Sequence, residues 1–132
     1  MTVLPITAAC LLDTEGRIVT VRKRGTAKFM LPGGKIESGE SASDGVLREI
    51  REEIGLVVRQ CDLRPLGRYS VAAANEADTW IDARIFVGAL HRAVRPEAEI
   101  DEVRMLDPGA PLPTDLAPLL TQHVLPALRR GL

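Results

Sequence analysis

A chain of 132 residues with a formal net charge of −1 has room for one domain around one core and lacks the positive excess of a general polyanion binder. Its hydrophobic fraction of 45% is ordinary for a globular protein, and no apolar run approaches the roughly 20 residues that span a bilayer. Two cysteines, Cys10 and Cys61, are too few for a disulfide framework and read as buried, reduced thiols. With no charged lead and apolar core at the N-terminus, the expected location is cytoplasmic.

Val3 to Leu12 is apolar and β-prone and reads as a strand. Asp13-Thr14-Glu15-Gly16 is a turn, with the glycine placed for positive φ. Arg17 to Arg22 alternates polar and apolar residues, the mark of a returning strand. A basic loop, Arg24 to Lys28, leads through Phe29 to Leu31 into Pro32-Gly33-Gly34, where no helix can continue. Next comes a helix that Ser41 or Ser43 can cap and Gly55 ends. Leu56 to Val58 and Leu63 to Ala74 are strand-like, and Asn75 to Asp78 is a loop. Trp80 to Leu90 is a strong strand, followed by a charged, proline-bearing stretch to Asp101 and a short strand, Glu102 to Leu106. Pro108 to Pro113 is a linker, after which Thr114 or Asp115 caps a last helix running to about Arg130. Strands mixed with two helices predict an α/β layered domain.

The chemistry concentrates between Gly34 and Leu56. Gly34-Lys35-Ile36-Glu37-Ser38-Gly39-Glu40 is followed, after seven residues, by Arg48-Glu49-Ile50-Arg51-Glu52-Glu53-Ile54-Gly55-Leu56. Glu49, Glu52 and Glu53 fall three and four apart, so they project from one side of the helix. Val46, Leu47, Ile50 and Ile54 form a neighbouring apolar stripe that packs. Three like charges at this spacing repel one another, and clustered carboxylates suit hard divalent cations such as magnesium. A solvated acidic face is the simpler alternative, but it explains neither the paired glycines nor the matched stripe.

This segment resembles the Nudix box, the signature of the Nudix hydrolases. Gly34, Glu40, Arg48, Glu49, Ile50, Glu52, Glu53, Gly55 and Leu56 match its constrained positions, and Leu31-Pro32-Gly33 is similar to its usual lead-in. Gly45 departs mildly, standing where the family tends to carry alanine. The resemblance implies an α/β/α sandwich around a mixed β-sheet, one domain over residues 1–132. It also implies Mg²⁺-dependent hydrolysis, with Mn²⁺ as a substitute, of a nucleoside diphosphate linked to another group. Carried over by position, Glu52 and Glu53 are direct metal ligands, and Glu49 is a ligand or the general base. The carbonyl of Gly33 or Gly34 completes the coordination. Glu40 is an outer member paired with Arg48, whose own role is structural or catalytic.

Outside the box, Arg17, Arg22, Lys23, Arg24 and Lys28 fall within twelve residues that contain no acid. Arg22 ends a strand expected to point at the box, with Lys23 on the opposite face, so Arg22 is the expected phosphate contact. Phe29 either lines the pocket or packs. Tyr69 and Trp80 are candidates to stack on a base, with packing or a place on a strand face the favoured reading of each, and His91 and His123 receive no role. Family members often supply one more carboxylate from a distant loop, and among Glu97, Glu99, Asp101 and Glu102 the offset from Met105 selects Glu99. The short chain resembles compact members that convert nucleoside triphosphates to monophosphate and pyrophosphate. ADP-ribose, nucleotide sugars and dinucleoside polyphosphates stand behind that reading, and a non-catalytic nucleotide-binding module behind those. The expected partner is a small nucleotide, with neither a nucleic-acid polymer nor a membrane, and a homodimer is compatible with the family.

Overall fold

The computed structural model describes residues 1–73 and 76–131. Its centre is a six-stranded mixed sheet. β1 (Thr2–Leu12) lies between β2 (Ile18–Lys23) and β5 (Thr79–Ala89), with β6 (Ile100–Leu106) and β4 (Leu63–Ala72) at the edges. β3 (Gly33–Lys35) pairs separately with Ile6 to Ala8 of β1. β1 and β5 run parallel in unbroken register from Thr2 opposite Thr79 to Leu12 opposite Ala89. The other pairings among these strands are antiparallel. A strand covered on both faces needs apolar residues at consecutive positions, and Ala8, Ala9, Cys10 and Leu11 are all buried.

The single expected core is therefore divided by the sheet. Ala9 and Leu11 join Val19, Val21, Val46, Ile50 and Ile54 in one apolar cluster. Ala8 and Cys10 join Ile85, Leu120, Val124 and Leu128 in the other. Alternate strand residues face opposite ways, so the box helix α1 (Ala42–Ile54) and the C-terminal helical segment cover opposite faces. This is the α/β/α arrangement.

Ser41 caps α1 through its hydroxyl, which accepts the Asp44 N–H, and Gly55 closes it at φ 68°. Gly45 costs about 1 kcal/mol of helix propensity relative to alanine. A Cβ there would lie 2.8 Å from Glu40 Oε1 and 3.1 Å from the Thr7 methyl. The glycine thus lets α1 sit close to β1, where the Thr7 hydroxyl donates to the Ala42 carbonyl at 2.7 Å.

Three expectations change. Leu56 to Val58 is not a strand: Leu56 is buried, Val57 is exposed, and a 3-10 turn (Gln60–Asp62) carries the chain to β4. Cys61 lies exposed on that turn, whereas Cys10 is buried and its thiol is pushed up to about 12 by burial. Neither Thr114 nor Asp115 caps the last helix. Asp115 is held by Arg104 at 2.6 Å, and helical structure begins at residue 118. A π-helical turn (Leu120–Val124) then runs into α2 (Leu125–Gly131). Pro126 has no N–H to return to the fourth residue before it; just ahead of it, the Leu125 N–H reaches five residues back to Leu120. The ends of the expected strand and loop at residues 74 and 75 lie outside the described residues.

Candidate active site

Glu53 is the most constrained of the box acids. It is 2% exposed, and its Oε1 accepts the Gly33 N–H at 3.0 Å. Its Oε2 is buried without a hydrogen-bond partner, with Lys23 Nζ 3.9 Å away. Burial pushes the carboxyl up to about 8; the Gly33 N–H and the Lys23 charge oppose the rise, while the charges of Glu49 and Glu99 add to it. A buried carboxylate oxygen without a donor is costly. The orphaned oxygen calls for a compensating charge, which the bound proton supplies below about pH 8 and a cation would supply in its place.

The paired glycines let the backbone approach these acids. A Cβ on Gly34 would fall 2.7 Å from the Glu49 carboxyl carbon, and one on Gly33 would collide with the Thr7 carbonyl across the β1–β3 pairing. Glu49 is half-buried, and its Oε1 accepts from Arg48 Nη1 at 2.7 Å. Arg48 also grips Glu40 through Nε at 2.8 Å and Nη2 at 2.9 Å and reaches the Lys35 carbonyl at 3.2 Å. That fork ties the loop before α1 to the helix. It holds the Glu40 carboxyl down at about 2, and the Arg48 guanidinium is raised in turn, first by Glu40.

The three box acids do not share one environment. Glu52 is exposed and lies 3.5 Å from Arg48, while Glu53 turns inward to Gly33. Among the described residues, no three acidic, histidine or cysteine side chains converge as a cage for an ion. The expected cluster is thus spread over three settings, because each acid turns to its nearest donor: Arg48 takes Glu49 and Glu52, and the Gly33 N–H takes Glu53.

The orientation expected for β2 is reversed. Lys23, not Arg22, faces Glu53. The β2–β6 register slips between these two residues, Arg22 lying opposite Glu102 and Lys23 opposite Ile100. Such a bulge re-aims side chains. Arg22 is drawn to Asp101 at 2.9 Å and Glu102 at 3.3 Å, and it also bonds the Thr26 carbonyl. Phe29 packs: it is 3% exposed, with the Arg104 guanidinium 3.7 Å from its ring centre. Glu99 lies on the loop before β6, where its carbonyl accepts the Arg24 N–H at 2.8 Å. Its charge reaches Glu53, whereas Glu102 is taken by Arg22.

A cleft of about 330 Å³ opens beside the glycines. Lys23, Gly33, Gly34 and Lys35 line one part of it, aliphatic side chains such as Leu4, Ile6, Ile81 and Leu119 line most of the rest, and Thr26 and the acidic Glu76 also reach it. Sequence reasoning missed both Lys23 and these walls. The signal available was Leu4, Ile6 and Ala8 at alternate positions of β1, an apolar face longer than one short helix covers.

A family model described as NUDIX domain matches residues 3–128. An uncharacterized Nudix hydrolase of Bacillus subtilis is 41% identical over 58 residues, 44% of this chain and 37% of that one. An 8-oxo-dGTP diphosphatase of Proteus vulgaris is 53% identical over 32 residues, 24% of this chain and 29% of that one. The chain thus matches well under half the length of these curated relatives. The solved MutT NUDIX hydrolase of Burkholderia pseudomallei superposes with a TM-score of 0.79 at 19% identity, covering all of both chains, which establishes the fold. With the box matched in sequence and the sandwich matched in structure, the chain belongs to the NUDIX domain family.

Proposed function

We propose that this chain is a divalent-cation-dependent pyrophosphohydrolase. Its substrate is a nucleoside diphosphate linked to a further group, with a nucleoside triphosphate converted to monophosphate and pyrophosphate as the favoured case. The observation that carries this reading is the buried Glu53 Oε2, which has no hydrogen-bond partner, on a carboxyl whose other oxygen is bonded to Gly33, itself part of the polar lining of an apolar cleft. The polar lining suits a charged diphosphate and the cleft suits the nucleoside. The 8-oxo-dGTP diphosphatase of Proteus vulgaris, similar over 32 residues, supports a triphosphate.

Glu53, Glu49, Glu52 and the Gly34 carbonyl would hold Mg²⁺ or Mn²⁺, which when bound neutralises phosphate oxygens and acidifies water. Lys23 lies where it can pair with a phosphate oxygen once Glu53 is otherwise compensated. Water attacks phosphorus, the bond from phosphorus to the bridging oxygen breaks, and the bridging oxygen leaves with the departing phosphate. Glu49 or Glu99 accepts the water proton. Arg48 keeps Glu49 oriented and the loop closed on the helix. A panel of nucleoside triphosphates, nucleotide sugars and ADP-ribose, assayed with Mg²⁺ and again with EDTA, tests the proposal. Monophosphate and pyrophosphate should appear only with metal. Binding without turnover anywhere in the panel would replace the enzyme by a ligand-binding module.

A further inference from the structure

Beside the cleft, a pair of stacked rings links two of the segments that line it. The end of β4 and the residue after it line the cleft through Val71, Ala72 and Ala73, and Tyr69 precedes Val71 on the same face of the strand. On the C-terminal segment, Leu119 and Leu120 line it, and His123 lies three to four residues further along the same side. Tyr69 and His123 stack with ring centres 5.2 Å apart and planes 16° apart. Both local backbones accommodate the pair. A Cβ on Gly67 would collide with the Tyr69 hydroxyl, so the glycine leaves room for the ring to lie back along its own strand. The π-helical turn ahead of Pro126 includes His123; removing the bulge would rotate that side chain away from β4, since one residue is about 100° of helix.

We propose that the Tyr69–His123 stack is the back stop of the cleft and sets how bulky a nucleobase it admits. The stack ties the edge strand to the C-terminal segment and so fixes the spacing of the two walls. β5 separates β4 from β1 and from the β3 glycines paired to it, so the stack acts on fit and not on the reacting atoms. These two side chains are positioning residues for specificity. The inference rests on the reading that this cleft receives the base.

The test compares the purine triphosphate hydrolysed fastest with the same nucleotide carrying a benzyl group on its exocyclic amine. His123→Ala opens the back of the cleft, while His123→Phe keeps a ring in place. In His123→Ala the kcat/KM ratio of benzylated to parent nucleotide should rise at least about tenfold, the scale on which pocket size discriminates. The gain should appear in KM, with kcat for the parent within about twofold of wild type. His123→Phe should restore the wild-type ratio. An unchanged ratio in His123→Ala, with circular dichroism showing the fold intact, overturns the proposal, as does failure of His123→Phe to restore it. Leu4→Trp separates the two levels, because it fills the cleft itself. If it leaves KM for the parent unchanged, the base does not sit here and the underlying reading fails. If it raises KM while His123→Ala leaves the ratio alone, only the back stop fails.

Discussion

At the residue scale, the proposed function and stability oppose each other in Glu53. Its folded pKa of about 8 lies above the ordinary carboxylate value, first because of burial. Below about 4.5 both folded and unfolded chains hold the proton. As pH rises toward 8 the unfolded chain releases it first, so folding loses stability through that window. Glu53→Gln removes this loss, a gain on the order of a few kcal/mol at pH 8 in EDTA. The same substitution removes a negative ligand, and activity should fall at least about 100-fold, beyond the losses seen for outer metal partners. Urea denaturation in EDTA and initial rates in Mg²⁺ check the two halves. A variant less stable than wild type in EDTA, or one within a few-fold of its rate, contradicts the assignment. Glu40 has the opposite sign. Arg48 holds it down at about 2, so its contribution is complete above about 4.5 and is lost as pH falls toward 2. Glu40→Gln should therefore be less stable than wild type at pH 7, with the difference shrinking steadily below pH 4.5. A difference independent of pH would mean that Glu40 acts through packing alone.

Elements decide which way such residues point. Lys23 and Arg22 are neighbours on β2, and the bulge between them gives one to Glu53 and the other to β6. Lys23→Ala should raise KM for a triphosphate about tenfold or more, the size of losing one charge-assisted contact. Arg22→Ala should change KM little and should loosen β2 against β6, read as a lower thermal midpoint. Equal effects on KM would remove the distinction. The same bulge marks the limit of reading this sequence. Alternation along residues 17–22 located the strand but not its phase at the end, because one slipped residue exchanges the two faces. Box spacing located α1, its Ser41 cap and its Gly55 stop, since each depends on local backbone chemistry. It did not reveal that Glu53 is buried and Glu52 exposed. Adjacent helical positions differ by about 100°, and only the approach of β1 and β3 decides which one is covered. Phe29 was open between pocket and packing for the same reason: Arg104 and Asp115, which enclose it, lie more than seventy residues away in sequence.

For the molecule as a whole, the sheet gathers the candidate site from distant segments. β3 brings the glycines to β1, α1 brings the acids above them, and the loop before β6 brings Glu99. Each is fixed by pairing or packing before any ligand arrives, as electrostatic preorganisation requires. In the proposed function an ion would take the place of the proton that the buried Glu53 carboxyl, with its pKa of about 8, holds at neutral pH, so metal binding and folding are expected to be coupled. An ion present at 100 times its dissociation constant and absent from the unfolded chain adds about 2.7 kcal/mol. For a domain of this size that corresponds to a rise in melting temperature of roughly 8 °C. Differential scanning fluorimetry over a Mg²⁺ and Mn²⁺ titration should show this shift in the wild type. It should be largely absent in Glu53→Gln, which starts from a higher midpoint in EDTA. Glu99→Gln separates two roles that activity alone would confuse. As a general base, Glu99 leaves the metal-induced shift intact while its loss slows turnover by about 10²–10⁴-fold. As an auxiliary ligand, its loss moves the shift to higher Mg²⁺ and costs less at saturation. A Glu99→Gln enzyme with wild-type rates and a wild-type titration would remove Glu99 from the site.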